Sequence, residues 1–498
     1  MGRQYILSID QSTQGTKAML LDEEGRFLLR RDMPHRQIIS NQGWVGHDAE
    51  EIADHIFRVA QLAVKDAGID PAAIAAVAVT NQRESVAVWD RASGKPVCES
   101  IVWQCNRAAE LCSRIATPEV ERMVRKKTGL MLSPFFSAPK VAWVLENVPG
   151  AQEAANAGKL CLGTMDTWTI WQLTGGQVHK TDVSNASRTQ LFNIHTMQWD
   201  EELCRLYHIP MSMLPQVCDS DAWYGETDLG GFLPHKVPIH AAIGDSHGVM
   251  FSHGCIDRGD TMCGIGTGSC MLMNTGEIPV ESSSGMNTTL AWRIGGKTLY
   301  ALEGVANSGI VITWLKENAE LIDSPGQTAE LARTANPADR TYMVPAFNGI
   351  GAPHWVSGAQ ASFLGMSRMT GRKELVRAAL ESVAYQIADL VRAACRDSGE
   401  TVSEFRVAGG PTKNEYLMQF QSDILGCPVA VARQEELSGI GAAYVAGIAI
   451  GLYDYDRLRA NQNNQIFTPH MSEPERQARL DGWDQAVKTT VEYKSKSF

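Results

Sequence analysis

Hydrophobic residues first cluster at Tyr5, where Tyr5 to Ile9 form an apolar run of strand composition that ends on Asp10. A turn of amide, hydroxyl and glycine residues follows (Gln11, Ser12, Thr13, Gln14, Gly15, Thr16), then Lys17, a second apolar run and the turn Asp22-Glu23-Glu24-Gly25. This spacing predicts two strands joined by a polar turn, with no helix directly after it. Such a turn can aim several backbone N–H groups and hydroxyls at one spot, which suits a phosphate. Asp10 is placed to hold a cation and Lys17 to add positive charge. The stretch is not a GxxxxGK[ST] phosphate loop, and alone it reads first as an ordinary hairpin with a polar turn.

Helical periodicity comes next over residues 48–67, then a strand over 74–80 ending in Asn81-Gln82-Arg83-Glu84-Ser85, and a strand over 86–90. Arg83 and Glu84 therefore sit at a strand end, where α/β folds place ligand contacts. Residues 101–104 read as a strand, 138–147 as a helix opened by Pro139, and 166–173 as a buried helix stopped by Gly175-Gly176. Residues 184–188 read as a polar loop. A strand over 237–245 also ends in Gly-Asp, and a small-residue stretch, 248–254, leads away from it. The domain boundary is placed there, giving residues 1–250 and 251–498.

Residues 259–273 repeat the opening pattern, two apolar arms around a Gly/Thr/Ser turn, and suggest an internal structural duplication. Helices are expected at 307–316 and 374–396. A strand at 405–408 leads through Gly409-Gly410-Pro411-Thr412-Lys413-Asn414 to a helix over 415–425. The Gly- and Ala-rich stretch 439–453 is too short for a membrane span and reads as a buried helix. The polar tail after Glu473 is expected to be partly helical.

Length and charge narrow the class. A chain of 498 residues exceeds what one hydrophobic core supports, so two large domains are expected. A net charge of −11 argues against a nucleic-acid-binding surface. Eleven cysteines without a CxxC pair fit reduced thiols in a cytosolic enzyme better than a disulfide framework or a zinc site. The first residues lack the pattern of a signal peptide, and a soluble, cytoplasmic protein is expected, without membrane or nucleic-acid partners.

Three glycine-rich turns, 11–16, 264–269 and 409–414, each follow a strand. Glycines allow backbone to approach a nucleotide, and a helix start favours its anionic groups. Gly264-Ile265-Gly266-Thr267-Gly268 is no dinucleotide fingerprint, because residues 270–273 continue as a strand. Together the turns suggest two lobes closing on a triphosphate. The chain here resembles the FGGY family of carbohydrate kinases, and within it the glycerol kinases. The resemblance is carried by Asn81-Gln82-Arg83-Glu84, residues 101–105, 163–168, Asn185-Ala186-Ser187-Arg188, 271–276, Tyr300-Ala301-Leu302-Glu303-Gly304, 344–347 and 420–426. Two family signatures fall at 135–147 and 361–381.

That resemblance implies an α/β fold of two similar ribonuclease H-like domains, as in the superfamily of sugar kinases, actin and heat-shock chaperone ATPases, with the active site in the cleft between them. It implies ATP and Mg²⁺ as cofactors. Asp10 matches the position that serves magnesium, through water. Thr13, Gln14 and Lys17 match positions near the transferring phosphate, although glycerol kinases usually carry Thr-Ser-Ser-Arg over 14–17. Gly266, Thr267, Gly309, Gly410 and Asn414 match other ATP contacts, and Asp245 matches the general base. Phosphoryl transfer needs this division of labour, with one carboxylate for the metal and another for the hydroxyl proton.

Arg83, Glu84, Trp103 and Asp245 match glycerol contacts, but the rest of the acceptor pocket departs from the pattern. Phe135 stands where those kinases have Tyr, Ser246 where they have Gln, Cys270 where they have Phe, and Asn106 where Arg is usual. Smaller side chains leave space that glycerol does not fill, so a terminal hydroxyl of a longer polyol or sugar is the expected acceptor, with glycerol itself as the alternative. An acceptor-independent ATPase or a sugar sensor on the same fold would not need this pocket together with both aspartates. Dimers or tetramers are usual among similar kinases, and the sequence carries no interface signal.

Overall fold

Two mixed β-sheets carry the fold in the computed structural model, which describes residues 3–347, 349–356, 358–460 and 462–493. The first sheet contains β1 (Tyr5–Gln11), β2 (Gly15–Leu21), β3 (Phe27–Pro34), β4 (Ile74–Asn81), β5 (Trp223–Thr227) and β6 (Val237–Gly244), in the order β5-β6-β4-β1-β2-β3. The second contains β7 (Thr261–Ile265), β8 (Gly268–Gly276), β9 (Asn287–Ile294), β10 (Lys297–Asn307), β11 (Phe405–Ala408), β12 (Val429–Ala432) and β13 (Asn464–Phe467), in the order β9-β10-β8-β7-β11-β12-β13. Each sheet opens with an antiparallel hairpin, β1–β2 or β7–β8, whose first strand pairs in parallel with a later one, β4 or β11. A further parallel strand follows in each, β6 or β12, and then an antiparallel edge, β5 or β13. The expected duplication is thus present in the strand order, although the two halves differ in sequence.

Every residue of β1 is buried, as an apolar run flanked by strands and covered on both faces requires. Tyr5, Leu7 and Ile9 pack toward α1 (Ala49–Ala67), which Asp48 caps through the amides of Glu50 and Glu51. Ile6 faces the other way, with Met19, Leu21, Ala78 and Ile243, and is covered by α7 (Leu437–Ala449). The glycines explain how a helix from the second half lies so close to the first sheet. A Cβ on Gly439 would stand 2.4 Å from Met19 Cε, and one on Gly441 2.0 Å from the carbonyl of Gly248. Gly248 belongs to α3 (Asp245–Ser252), so the small-residue stretch begins inside a helix whose glycine lets two helices touch. The Gly/Ala-rich stretch of the second half is its partner.

Two further expectations change. Of the 101–104 segment only Ile101 is strand, as the end of Ser100–Ile101, and Trp103 lies in the turn beyond it. The loop expected at 184–188 contains a buried short helix, Val183–Ala186, whose first amides are held by Asp182. The tail after residue 472 is helical as expected over α8 (Glu473–Glu492), with Leu480, Trp483, Ala486 and Val487 in the core of the second half. The helices α2 (Ser137–Asn147), α4 (Gly309–Glu317), α5 (Arg372–Ser398) and α6 (Glu415–Leu425) lie where the periodicity puts them. Among the described residues no helix is long and apolar enough to cross a membrane, and all eleven cysteines are free.

Candidate functional site

The ends of β4 and β6 meet the middle of β8 and β10 at one cluster of buried charge. Arg83 follows β4 and is its hub: Nε donates to Asp245 Oδ1 at 3.0 Å, Nη1 to Glu303 Oε1 at 2.8 Å and Nη2 to Ser246 Oγ at 3.0 Å. Arg188, from the buried segment after Val183–Ala186, donates through Nε to Glu84 Oε1 at 2.6 Å and pairs through Nη1 with Glu303 Oε2. Cys270 donates its thiol to Glu303 Oε1 at 3.1 Å. The side chains of Glu303 and Arg188 are each 1 % exposed, whereas that of Asp245 is 38 % exposed. Asp245 is therefore the carboxylate of the cluster that a small molecule can reach. Burial would push the Glu303 carboxyl up, but Arg188 and Arg83 outweigh it and hold it at about 2.

An aromatic wall flanks this cluster. Trp103 and Phe135 pack edge to face with centroids 5.7 Å apart, and the indole N–H of Trp103 donates to Thr13 Oγ1 at 2.9 Å. The turn that carries Phe135 is tied by Lys140, whose ammonium donates to the carbonyls of Pro134, Phe135 and Phe136. Burial pushes the Lys140 pKa down to about 7. Glu84 has a left-handed backbone, φ 61°, and its carbonyl accepts from Ser137 Oγ at 3.1 Å. Phe135 and Arg188 also line a cavity of about 420 Å³ whose far wall is Gly304, Val305, Ile350 and Trp355. Asn106 is exposed and His247 is buried beside Arg83, with neither ring nitrogen hydrogen-bonded.

Two of the three glycine turns, 264–269 and 409–414, converge near Lys17, whereas residues 11–16 line neither of the cavities there. A cavity of about 730 Å³ is lined by Lys17, Gly264, Gly266, Gly410, Glu436 and Ser438. A second, of about 640 Å³, shares Gly410 with it and adds Gly309, Ile312 and Asn414. The turns are fastened to each other by backbone. Gly309 N donates to Gly266 O at 2.9 Å and Ile310 N to Thr267 O at 3.0 Å, and a Cβ on Gly409 would stand 2.1 Å from Ile265 O. Asn414 caps α6 through the amide of Leu417 and donates to Thr328 Oγ1 at 3.0 Å.

Asp10 and Lys17 are cross-strand neighbours in β1 and β2. Lys17 Nζ is held by Glu436 at 2.7 Å, and Glu436 also pairs with Arg30. Asp10 Oδ2 accepts from Ser438 Oγ at 2.8 Å, while Oδ1 is buried without a partner. Burial pushes the Asp10 carboxyl up to about 6 against the pull of Lys17.

Lys17, Gly266 and Gly410 therefore share one cavity, Gly309, Gly410 and Asn414 the next, and Arg83, Asp245, Ser246 and Cys270 the charge cluster, which Glu84 joins through Arg188. Thr13 does not line the glycine-turn cavities and instead joins Trp103. Gln14 is tied by its carbonyl to the amide of His35 at 3.2 Å. Sequence reasoning did not single out Glu303, Arg188, Glu436 or Ser438. For Glu303 the signal was a carboxylate inside an apolar strand, which demands buried partners.

Comparison with known proteins adds independent findings. The model of the FGGY family of carbohydrate kinases, N-terminal domain, matches residues 5–252, and that of the C-terminal domain matches residues 261–450. The chain is 42% identical over 487 residues to glycerol kinase 1 of Thermotoga maritima, covering 97% of this chain and 99% of that protein. It is 43% identical over 490 residues to the glycerol kinase of Chromobacterium violaceum, covering 98% of each. Among solved structures, Plasmodium falciparum glycerol kinase with ADP superposes with a TM-score of 0.92 at 34% identity, covering 98% of this chain and 99% of that one. Gluconate kinase from Lactobacillus acidophilus shares the fold, with a TM-score of 0.86 at 22% identity and 99% of each chain covered.

Proposed function

The chain belongs to the FGGY family of carbohydrate kinases and is an ATP-dependent phosphotransferase with an alcohol acceptor; from that premise we propose that the acceptor is a polyol, ketose or sugar acid of about four to seven carbons, phosphorylated at a terminal hydroxyl with Asp245 as general base. The observation that carries the larger acceptor is how the short side chains are used. Ser246 Oγ is bonded to Arg83 and Cys270 Sγ to Glu303, so both lie against the pocket wall and neither reaches into the acceptor space. The adjoining cavity of about 420 Å³ lies within the ~300–1,000 Å³ range of small-molecule sites and gives the distal carbons room.

In this reading Arg83, Glu84 and Trp103 orient the acceptor, and Asp245, the exposed carboxylate of the cluster, takes the hydroxyl proton. ATP lies along the two glycine-turn cavities, its phosphates between Lys17 and Gly266 and its base toward Gly309 and Asn414; Thr267, which lines neither cavity, supports the turn through its carbonyl and Ile310 N. The unpartnered Oδ1 of Asp10 is a fitting anchor for the magnesium of MgATP, through water. No cluster of three or more metal-ligating side chains exists among the described residues, so phosphate and water would supply the other ligands. Bound there, Mg²⁺ neutralises charge on the transferring phosphate. Thr13, hydrogen-bonded to Trp103, couples the phosphate turn to the acceptor wall, and Gln14 is held in the same turn.

Glycerol itself is the second reading, favoured by the presence of Arg83, Glu84, Trp103 and Asp245 in one pocket. The test of the mechanism is ADP release from MgATP with and without a panel of polyols and sugars, in parent protein and Asp245→Asn. Acceptor-dependent release that falls at least ~100-fold in the variant supports the assignment of the base. Release that ignores every acceptor and is unchanged in the variant contradicts it.

A further inference from the structure

Glu303 has no role in the reading above, yet its carboxylate joins three residues of the site, two of them arginines. It lies in the middle of β10, between Leu302 and Gly304, and accepts from Arg83 Nη1 at 2.8 Å and from the Cys270 thiol at 3.1 Å, both on Oε1. Its other oxygen pairs with Arg188. A carboxylate 1 % exposed needs such partners to offset its lost hydration. Its position serves geometry. Arg83 reaches the cluster from the first sheet, whereas Glu303 and Cys270 belong to the second, so this contact is where the two sheets fix one guanidinium between them.

We infer that Glu303 is a positioning residue of the transfer reaction: it holds the Arg83 guanidinium in the orientation that presents Nε to Asp245 and Nη2 to Ser246, and thereby places the acceptor. The inference rests on the reading of Arg83 as an acceptor contact. The reasoning is that a guanidinium is a rigid planar fork, so fixing one arm fixes the others. In Glu303→Gln the neutral amide cannot offset two guanidinium charges, and Arg83 loses its charged anchor on the second sheet, keeping Asp245 and Ser246 of the first half and the weak Cys270 contact. Arg188 keeps Glu84 at 2.6 Å, which limits the damage to the fold.

The experiment is a kinetic double-mutant cycle of Arg83→Ala and Glu303→Gln, with the purified protein, MgATP and the best acceptor found in the panel. Glu303→Gln is expected to lower kcat/KM for the acceptor about 100-fold, the scale of a misplacement of order 1 Å, while KM for ATP stays within about 3-fold. Adding Arg83→Ala to it should change little beyond the effect of Arg83→Ala alone, because one residue acts through the other. Glu303→Asp, which keeps the charge, should recover part of the loss, and it carries the cycle if Glu303→Gln does not fold. Additive losses, or equal losses for ATP and acceptor, would overturn the positioning role while leaving Arg83 an acceptor contact. An Arg83→Ala variant with an unchanged acceptor KM would overturn both that reading and the inference built on it.

Discussion

Asp10→Asn is predicted to stabilise the protein while abolishing its activity. Asp10 is buried on β1, and its carboxyl is pushed from the ordinary 3.8 to about 6 by that burial, against Lys17. The folded state therefore holds the proton over a window in which the unfolded chain has lost it. Below about pH 4 both states are protonated and no penalty exists; as pH rises through about 6 the folded state is forced to bury the charge. At about 1.4 kcal/mol per pH unit, the ionised group costs the fold about 3 kcal/mol above pH 7. Asn removes the charge and keeps an oxygen for Ser438, but its amide replaces an Oδ1 that has no partner, which returns about 1 kcal/mol. The net gain is then about 2 kcal/mol at pH 8, shrinking to nothing or below as pH approaches 4. Urea unfolding of parent and variant at pH 8, 6 and 4 measures it directly, and ADP release measures the lost anchor for MgATP. A variant less stable than the parent at pH 8, or a gap that widens in acid, would show that Asp10 is not held against a desolvation penalty and would remove the argument that its free oxygen awaits a cation.

Other expectations follow from the same geometry. Parent activity should fall as pH drops below about 6, because protonated Asp10 no longer offers a charged oxygen; a profile flat to pH 5 contradicts this. Arg188→Met leaves Glu84 and Glu303 short of a buried partner and should cost about 3–5 kcal/mol, read by thermal or urea unfolding; a loss under about 1 kcal/mol would mean the cluster relaxes freely. Gly409→Ala places a Cβ against Ile265 O at a backbone φ of 115°, so it should cost at least about 1–3 kcal/mol and raise KM for ATP more than KM for the acceptor. Cys270→Phe and Ser246→Gln, singly and together, should move acceptor preference toward glycerol, measured as the ratio of kcat/KM values.

How much of this was legible in the chain depends on whether the signal was local. The paired hairpins at β1–β2 and β7–β8 were visible because each central strand is a buried apolar run closed by a polar turn. Arg83, Glu84 and Asp245 stood out at strand ends. Glu303 and Arg188 did not, since their partners lie 220 and 104 residues away and no periodicity links them. The glycines of α3 and α7 carry a contact that the sequence does not show, although 439–453 reads correctly as a buried helix. In the sequence Gly248 only opens a small-residue stretch, but its lack of a side chain is what admits Gly441, a contact between the two halves that no window along the chain contains. Glu436, in left-handed backbone at the start of α7, ties Lys17 and Arg30 of the first half to the second, again across the whole length of the chain.

The most direct measurement is the ratio of kcat/KM for a set of four- to seven-carbon polyols, ketoses and sugar acids to that for glycerol, with MgATP and the position of the new phosphate read by NMR. The account predicts at least one longer acceptor preferred over glycerol by about 10-fold or more, phosphorylated on a terminal hydroxyl. Glycerol as the best acceptor would contradict the enlarged pocket, and phosphate on an internal hydroxyl would contradict the place given to Asp245.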